Sequence, residues 1–310
     1  MNRLTVMCFC FLGMLLPNPV TADTNDNISH SLVPAPLFLR TTAEGFTPGK
    51  QVGISIVDSG SVQDPATWMA SLMSARGSRF SVTETDSADL GIRLKRISRE
   101  ALAESFQSAG QPIPAHISEA YSLAIGPDGV AIHATTEAGL FYGLVSLWQL
   151  VEALPQDATW PGLVMLDAPE FEWRGLMLDS ARHMQSPEFI KRYIDWMALH
   201  KLNVFHWHLT DDQAWRLEIK SWPKLTQVGG YRVPAGEGPA AEIDPETGEP
   251  RLYGGYYSQV EIRDVVAHAA SRHVMVVPEI DVPGHATAAI AAYPELGVPG
   301  HGIDRVPASW

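Results

Sequence analysis

The densest run of chemistry-bearing side chains lies at residues 203–216, NVFHWHLTDDQAWR. Read as a strand, it puts His206 and His208 on one face and Phe205, Trp207 and Leu209 on the other, because successive side chains alternate. Asp211 and Asp212 follow at the strand's end. Two further segments end in the same way. Residues 173–179 finish in Asp179, with Arg182 and His183 just beyond, and residues 274–280 carry Glu279, followed by Asp281 and, past Pro283-Gly284, His285. Carboxylates, imidazoles and a guanidinium gathered at one sheet edge are costly unless a polar ligand or an ion answers them. A His-x-His pair joined by acids from other strands could hold a divalent metal in a hydrolase. The same acids with an arginine could instead grip sugar hydroxyls for glycoside hydrolysis. A binding module without turnover is the third reading. Each residue also has a structural reading. Arg182 can pair with Asp179, His206 and His208 can be satisfied inside a sheet, Asp211 and Asp212 can cap the following segment, and Trp173, Trp207 and Trp215 can be packing residues. The functional case rests on co-location.

The elements that would position these side chains alternate strand and helix. The apolar run 173–179 reads as a buried parallel strand. Ser186-Pro187-Glu188 then combines an N-cap, a first-turn proline and an early acid. Phe189, Ile190, Tyr193, Ile194 and Met197 give the helix behind it one apolar face. The strand 203–209 follows, then a long excursion with Pro, Gly and Glu crowded between Pro234 and Pro250. Ser258 and Glu261 form a capping box, with Ile262, Val265, Val266 and Ala269 as the expected buried face. The strand 274–280 comes next, and the rest through Trp310 reads as loop. This βαβ order implies parallel strands, with the polar residues at the end where a (β/α)8 barrel places its active site. A closed barrel takes about 250 residues, and about 140 follow Pro169. Three strands close no barrel, so the sheet is open or the sequence is part of a longer one.

Residues 33–168 mix strands and helices as a small α+β domain with no catalytic constellation. It has a strand at 51–57, a helix at 66–75, a helix from about 137 to 152, and a hairpin. The hairpin joins 121–125 to 130–134 around Gly126-Pro127-Asp128-Gly129. Residues 1–22 have a basic start at Arg3, a short apolar core and a small-residue ending at Val20-Thr21-Ala22, as a signal peptide does. A retained anchor or a lipoprotein is the alternative. Both cysteines, Cys8 and Cys10, lie within it, so no disulfide is expected in the mature chain. Residues 23–32 are expected to be a disordered leader. The chain is thus expected to be exported, periplasmic or extracellular, and without a membrane attachment after cleavage. A net charge of −13 with no basic run argues against nucleic acid.

Three blocks carry a resemblance: WRGLMLDSARH (173–183), KLNVFHWHLTDDQAWRLEIKSWPKLTQVGGYR (201–232) and GGYYSQVEIRDVVAHAASRHVMVVPEIDVPGHATAAIAAYPEL (254–296). In order and spacing they resemble the signature blocks of glycoside hydrolase family 20, the β-N-acetylhexosaminidases. The resemblance implies an α/β architecture, with the α+β domain followed at 169–310 by the first part, about three strands, of a (β/α)8 TIM barrel. It implies retaining exo-hydrolysis of terminal non-reducing N-acetylglucosamine or N-acetylgalactosamine, from amino-sugar-terminated glycans or chitooligosaccharides, with no metal and no cofactor. The substrate's acetamido oxygen attacks the anomeric carbon, a glutamic acid protonates the leaving oxygen, and an aspartate orients the acetamido group. By position, Arg182 matches the arginine that binds sugar hydroxyls. Asp211 and His285 match a pair supporting the acid, and His208, Asp212, Glu279 and Asp281 match residues shaping the site. The family's acid and its partner sit in a Gly-Gly-Asp-Glu stretch after the fourth strand. No Asp-Glu dipeptide occurs in these 310 residues. No catalytic residue is therefore expected in this chain. The acid pair is expected beyond Trp310, and the 310 residues alone are expected to be inactive and to fold poorly. The alternatives at this point are a metal-dependent TIM-barrel hydrolase and a non-catalytic sugar-binding remnant.

Overall fold

The computed structural model describes residues 31–57, 63–74, 79–83, 91–155, 158–234, 243–249 and 251–308. The first half contains β1 (Phe38–Thr41), β2 (Gln51–Val57), α1 (Gln63–Ser74), β3 (Arg79–Thr83), β4 (Ile92–Arg96), α2 (Arg99–Ser108), β5 (Tyr121–Gly126), β6 (Gly129–Ala134), α3 (Glu137–Ala153) and β7 (Leu163–Asp167). Its strands form one mixed sheet in the order β1-β7-β5-β6-β4-β2-β3. The β5–β6 hairpin turns at Gly129, whose φ of 125° and whose carbonyl-crowded Cα, where a Cβ would lie 2.4 Å from Gly91 O, both demand glycine. Ser98 Oγ and Thr136 Oγ1 accept from the third residue of α2 and α3 respectively, as N-caps do. Helix α3 is apolar on all sides because it is buried on all sides. Phe141 and Leu144 belong to one core with Ile132 and Leu163 of the sheet and with Ile194, Met197 and Phe205 of the second half.

That second half contains β8 (Gly175–Asp179), α4 (Pro187–Leu199), β9 (Val204–His208), β10 (Thr210–Asp211), β11 (Ala214–Trp215), α5 (Lys224–Gln227), β12 (Tyr231–Arg232), β13 (Tyr253–Gly254), α6 (Gln259–Ala270), β14 (Met275–Glu279) and α7 (Thr287–Ala292). Strands β8, β9 and β14 are parallel in the order β14-β9-β8. Asp179 and Glu279 are both in register with His208, so the three chemistry-bearing strand ends lie level. The short hairpin β10–β11 and the two-residue antiparallel ladder β12–β13 follow in the loops beyond β9.

Three expectations are corrected. Strand β8 is not buried: Leu176 and Met177 are 43% and 54% exposed, because β8 is an edge strand paired only with β9 among the described residues. The buried stripe of α6 is narrower than expected, with Val265 and Ala269 buried and Val266 exposed. The segment after residue 280 is not all loop, since it contains α7 and a 3-10 turn at Pro294–Leu296. The capping box is present, with Ser258 Oγ accepting from Glu261 N and Glu261 Oε2 accepting from Ser258 N. Ser258→Ala should cost about 1 kcal/mol, read as a lowered urea midpoint at unchanged slope.

Polar links, one of them buried, cross the two halves. Lys201 Nζ donates to Asp167 Oδ2 at 2.8 Å and to Tyr121 Oη at 2.9 Å. Arg174 Nη2 donates to Glu119 Oε2 at 2.6 Å, and the Arg272 guanidinium lies 4.0 Å over the Trp68 ring. The expected signal peptide and residues 23–30 of the expected leader lie outside the described residues. The expectation is corrected at Leu32, which is not leader but buried in the core, and Val33 N donates to Gln149 Oε1 at 3.0 Å. No helix among the described residues is long and apolar enough to cross a membrane.

Candidate active site

Period-2 alternation along β9 sorts its side chains as expected. Phe205 and Trp207 pack inward toward the helices, while His206 and His208 share the opposite face. There one oxygen of Glu279 meets both, at 2.6 Å from His206 Nε2 and 2.7 Å from His208 Nδ1. The other nitrogen of His208 lies 2.9 Å from Asp211 Oδ2. Asp211, in β10, is buried and also receives its neighbour's backbone, with Asp212 N donating to Oδ1 at 2.6 Å. Asp212 and Gln213 form the two-residue turn between β10 and β11.

Arg182 stands just past the end of β8. Its Nη1 lies 2.9 Å from Asp179 Oδ2, its Nη2 2.5 Å from Asp211 Oδ2, and its Nε 3.0 Å from Gln213 Oε1. The planar fork is thus oriented on three sides, with a fifth of the side chain exposed (20%) at the strand ends. Behind it, the fully buried Arg216 donates to four backbone carbonyls: Ser180, Ala181, Gly230 and Gly255. Burial without a carboxylate partner pushes its guanidinium down to about 10. Arg232, also buried, donates to the carbonyl of Arg182 at 2.7 Å and stacks over Tyr253.

His285 reaches in from the loop before α7, with Nδ1 3.1 Å from Asp211 Oδ1 and 3.6 Å from Asp212 Oδ2. Its φ of 52° is in the left-handed region that non-glycine residues seldom take, a local strain of the kind found at functional sites. Asp212 also caps α7: its Oδ1 accepts from Thr287 N at 3.1 Å and from Thr287 Oγ1 at 2.6 Å. Asp281 contributes its backbone, its N–H donating to Thr210 Oγ1 at 2.9 Å.

Burial raises the Asp212 carboxyl, but the Thr287 hydrogen bonds and the His285 ring outweigh it and hold it below the usual carboxylate range. Burial lowers the His208 imidazole, yet the hydrogen bonds to Glu279 and Asp211 outweigh it and hold it above the ordinary histidine value. Glu279, raised by burial, is drawn below its usual value by His208 and His206. A histidine raised on folding contributes stability below 6.5 that is lost as pH climbs through the raised value. A glutamate lowered on folding contributes above 4.5 and loses it as pH drops through the lowered value. The pair is therefore at full strength between pH 4.5 and 6.5.

Arg182, Asp179, His208, Asp211, Asp212, Glu279 and His285 thus converge. The structural readings of Arg182, Asp212 and Trp207 hold alongside this, but the packing reading of Trp173 does not. Arg182 does pair with Asp179, and Asp212 does cap a helix, though a distant one. Trp207 packs, with Nε1 donating to Ser180 Oγ at 2.9 Å. Trp173 lies exposed at the opposite, N-terminal end of the sheet, in a 540 Å3 cleft with Glu119 and His273. Gln213, Arg216, Arg232 and Thr287 belong to the arrangement and were missed, since no periodicity marks them. As a metal site the strand ends fit poorly. Asp211, Asp212 and His285 bring ligand atoms within 4.8 Å of one another, but the Arg182 guanidinium already faces Asp211. Both His208 nitrogens are spent on carboxylates, leaving it no lone pair for an ion.

Two family descriptions match the chain: "Glycosyl hydrolase family 20, catalytic domain" over residues 171–308 and "Glycosyl hydrolase family 20, domain 2" over residues 29–168. A β-hexosaminidase of Porphyromonas gingivalis is 44% identical over 182 residues, covering 56% of this chain and 22% of that protein. An N,N'-diacetylchitobiase of Vibrio harveyi is 38% identical over 186 residues, covering 56% of this chain and 20% of its own length. Among solved structures, an N-acetyl-β-hexosaminidase of Streptomyces plicatus in complex with Thio-NAglucal superposes with a TM-score of 0.73 at 34% identity, covering 91% of this chain and 52% of that one. The chain thus spans about half of that solved structure, and its matched part spans about a quarter or less of these curated relatives.

Proposed function

The chain belongs to glycosyl hydrolase family 20, a family of glycosidases, and on that premise we propose that its strand-end site grips the terminal, non-reducing N-acetylglucosamine or N-acetylgalactosamine of a glycan or chitooligosaccharide. The architecture is that family's N-terminal α+β domain followed by the opening strands of its TIM barrel. The observation that carries the reading is the Arg182 fork, held rigid by Asp179, Asp211 and Gln213 at the rim of β8. A planar cation fixed in this way donates to neighbouring hydroxyls with little further loss of side-chain freedom. The relatives named above act as hexosaminidase and chitobiase, which supports an amino-sugar substrate.

In this proposal the whole protein hydrolyses the sugar with retention. The acetamido oxygen attacks the anomeric carbon, and a glutamic acid protonates the departing oxygen. In this proposal that acid and its aspartate partner lie outside the 310 residues, which contain no Asp-Glu dipeptide. On the same reading the paired Asp211 and His285 support that acid. Residues 1–22 support export to the periplasm or medium, where such glycans are met.

The test begins with the coding frame past Trp310 and continues with two purified products, the 310-residue chain and the longer protein. The longer protein is expected to release nitrophenol from the p-nitrophenyl N-acetyl-β-glucosaminide, with chelator present or absent, and the 310 residues are expected not to. No release by the longer protein sinks the assignment. Release by the shorter one would assign the acid to a carboxylate within this chain.

A further inference from the structure

His285, Asp211, His208, Glu279 and His206 form one unbroken line of alternating imidazole and carboxylate. The successive separations are 3.1, 2.9, 2.7 and 2.6 Å. The two end rings are accessible, His285 at 53% and His206 at 40%, whereas His208 and Asp211 between them are buried. The Asp211–His285 half belongs to the site already assigned. The other half, Glu279 with His206, is given no task by the sugar-gripping reading.

Hydrogen counting gives that half a task. A carboxylate oxygen can only accept, so each imidazole nitrogen at hydrogen-bond distance from one must carry a proton. His208 meets Glu279 with Nδ1 and Asp211 with Nε2. Both nitrogens are therefore N–H, and the ring is an imidazolium. Asp211 supplies one counter-charge but also answers Arg182, and Arg182 Nη1 itself stands 3.5 Å from the ring. Asp179 acts on the ring only through space. Glu279 is thus the second anion that makes a buried cation beside an arginine tenable. His206 anchors the same Glu279 oxygen from the solvent side.

We propose that Glu279, anchored by His206, is a positioning residue that keeps His208 doubly protonated and thereby sets the negative charge that Asp211 presents to His285. The chain of effects has a definite sign. With Glu279 neutral, His208 gives up its proton more readily. Asp211 then loses a cationic neighbour, and its less compensated charge holds the proton on His285 more tightly. Asp212, the other anion facing His285, is fixed by Thr287 and stays as it is. The inference rests on the hydrolase reading only for what His285 supports. The coupling itself needs neither sugar nor turnover.

The test is a histidine titration of the longer protein by ring 1H–15N NMR, for the wild type, Glu279→Gln and Glu279→Asp. In the wild type the His208 midpoint should lie above the ordinary histidine value. Glu279→Gln should move the His208 midpoint down by about 1–3 pH units, the scale of one close opposite charge, and move His285 up. Glu279→Asp keeps the charge but withdraws it, so it should shift both midpoints the same way by less, and it serves alone if the glutamine variant does not fold. A purely structural role for Glu279 would leave both titrations in place in a folded variant, and that result overturns the proposal. A His208 shift with His285 unmoved overturns the coupling. Failed hydrolysis by the longer protein with both shifts present would cost the functional assignment and leave the coupling standing.

Discussion

Arg182→Ala in the longer protein is expected to lower kcat/KM on the aryl N-acetyl-β-glucosaminide by roughly 10^2–10^4-fold. The reasoning is that the guanidinium would make two charge-assisted hydrogen bonds to sugar hydroxyls, each about 1.5–3 kcal/mol, at about 1.4 kcal/mol per decade. Alanine also strips Asp211 and Asp179 of a partner, so some stability is expected to be lost. A folded variant is recognised by its retained near-UV circular dichroism. Arg182→Lys separates the two effects, because it keeps a positive charge near Asp211 but not the planar fork. It should recover stability while recovering little activity. Unchanged kinetics in a folded Arg182→Ala protein would remove Arg182 from the sugar site.

The largest stability effect is expected at Lys201. Its ammonium is buried, paired with Asp167 and hydrogen-bonded to Tyr121, whose hydroxyl in turn contacts Ser146 at 2.5 Å. Lys201→Met would leave Asp167 buried without its cation, a loss of about 3–5 kcal/mol, read as a drop in the denaturant midpoint. The backbone supplies an internal control. Lys201 has a φ of 57° where α4 ends, and Leu202 N reaches back to Met197 O at 2.9 Å. That is the helix-ending position glycine ordinarily takes. Lys201→Gly should therefore lose the same pair yet regain about 1 kcal/mol of relieved backbone strain. Equal losses for glycine and methionine would show that the strain is already relaxed. No loss in either would show that the pair is not what joins the halves.

Local chemistry made much of the fold legible. The alternation in Gln51–Val57, the Gly-Pro-Asp-Gly turn and the Ser258–Glu261 box each act over a few residues, and each produced its element. Ile92–Arg96 alternates as well, and Ser98 with Glu100 is a helix start. Those signals stood in the sequence unread, as did the alanine-rich stretch that became α7. Other features were unreadable for a physical reason. Whether an apolar run such as Gly175–Asp179 is buried depends on which strand lies beside it, a property of the assembled sheet rather than of the run. The same holds at the site. Period-2 spacing put His206 and His208 on one face, but that a single Glu279 oxygen binds both follows from the β9–β14 register. The roles of Arg182, Asp211 and His285 came from resemblance to a family. Gln213, Arg216, Arg232 and Thr287 act by contacts between residues far apart in sequence, which composition and spacing do not encode.

The four-carbonyl grip of Arg216 also says where this chain can be lengthened. Two of its bonds end on Gly230 and Gly255, and between these glycines the β12–β13 ladder pairs Tyr231 with Gly254 and Arg232 with Tyr253. The chain leaves this ladder after Arg232 and rejoins it at Tyr253, at a doorway bolted to the turn that carries Arg182. Doubling a loop's length costs only about 0.6 kcal/mol of closure entropy, and here that cost falls outside the bolt. An epitope, a fluorescent reporter or an entire guest domain grafted into that stretch would be tethered at one fixed doorway while the arginine fork beneath it stayed in place.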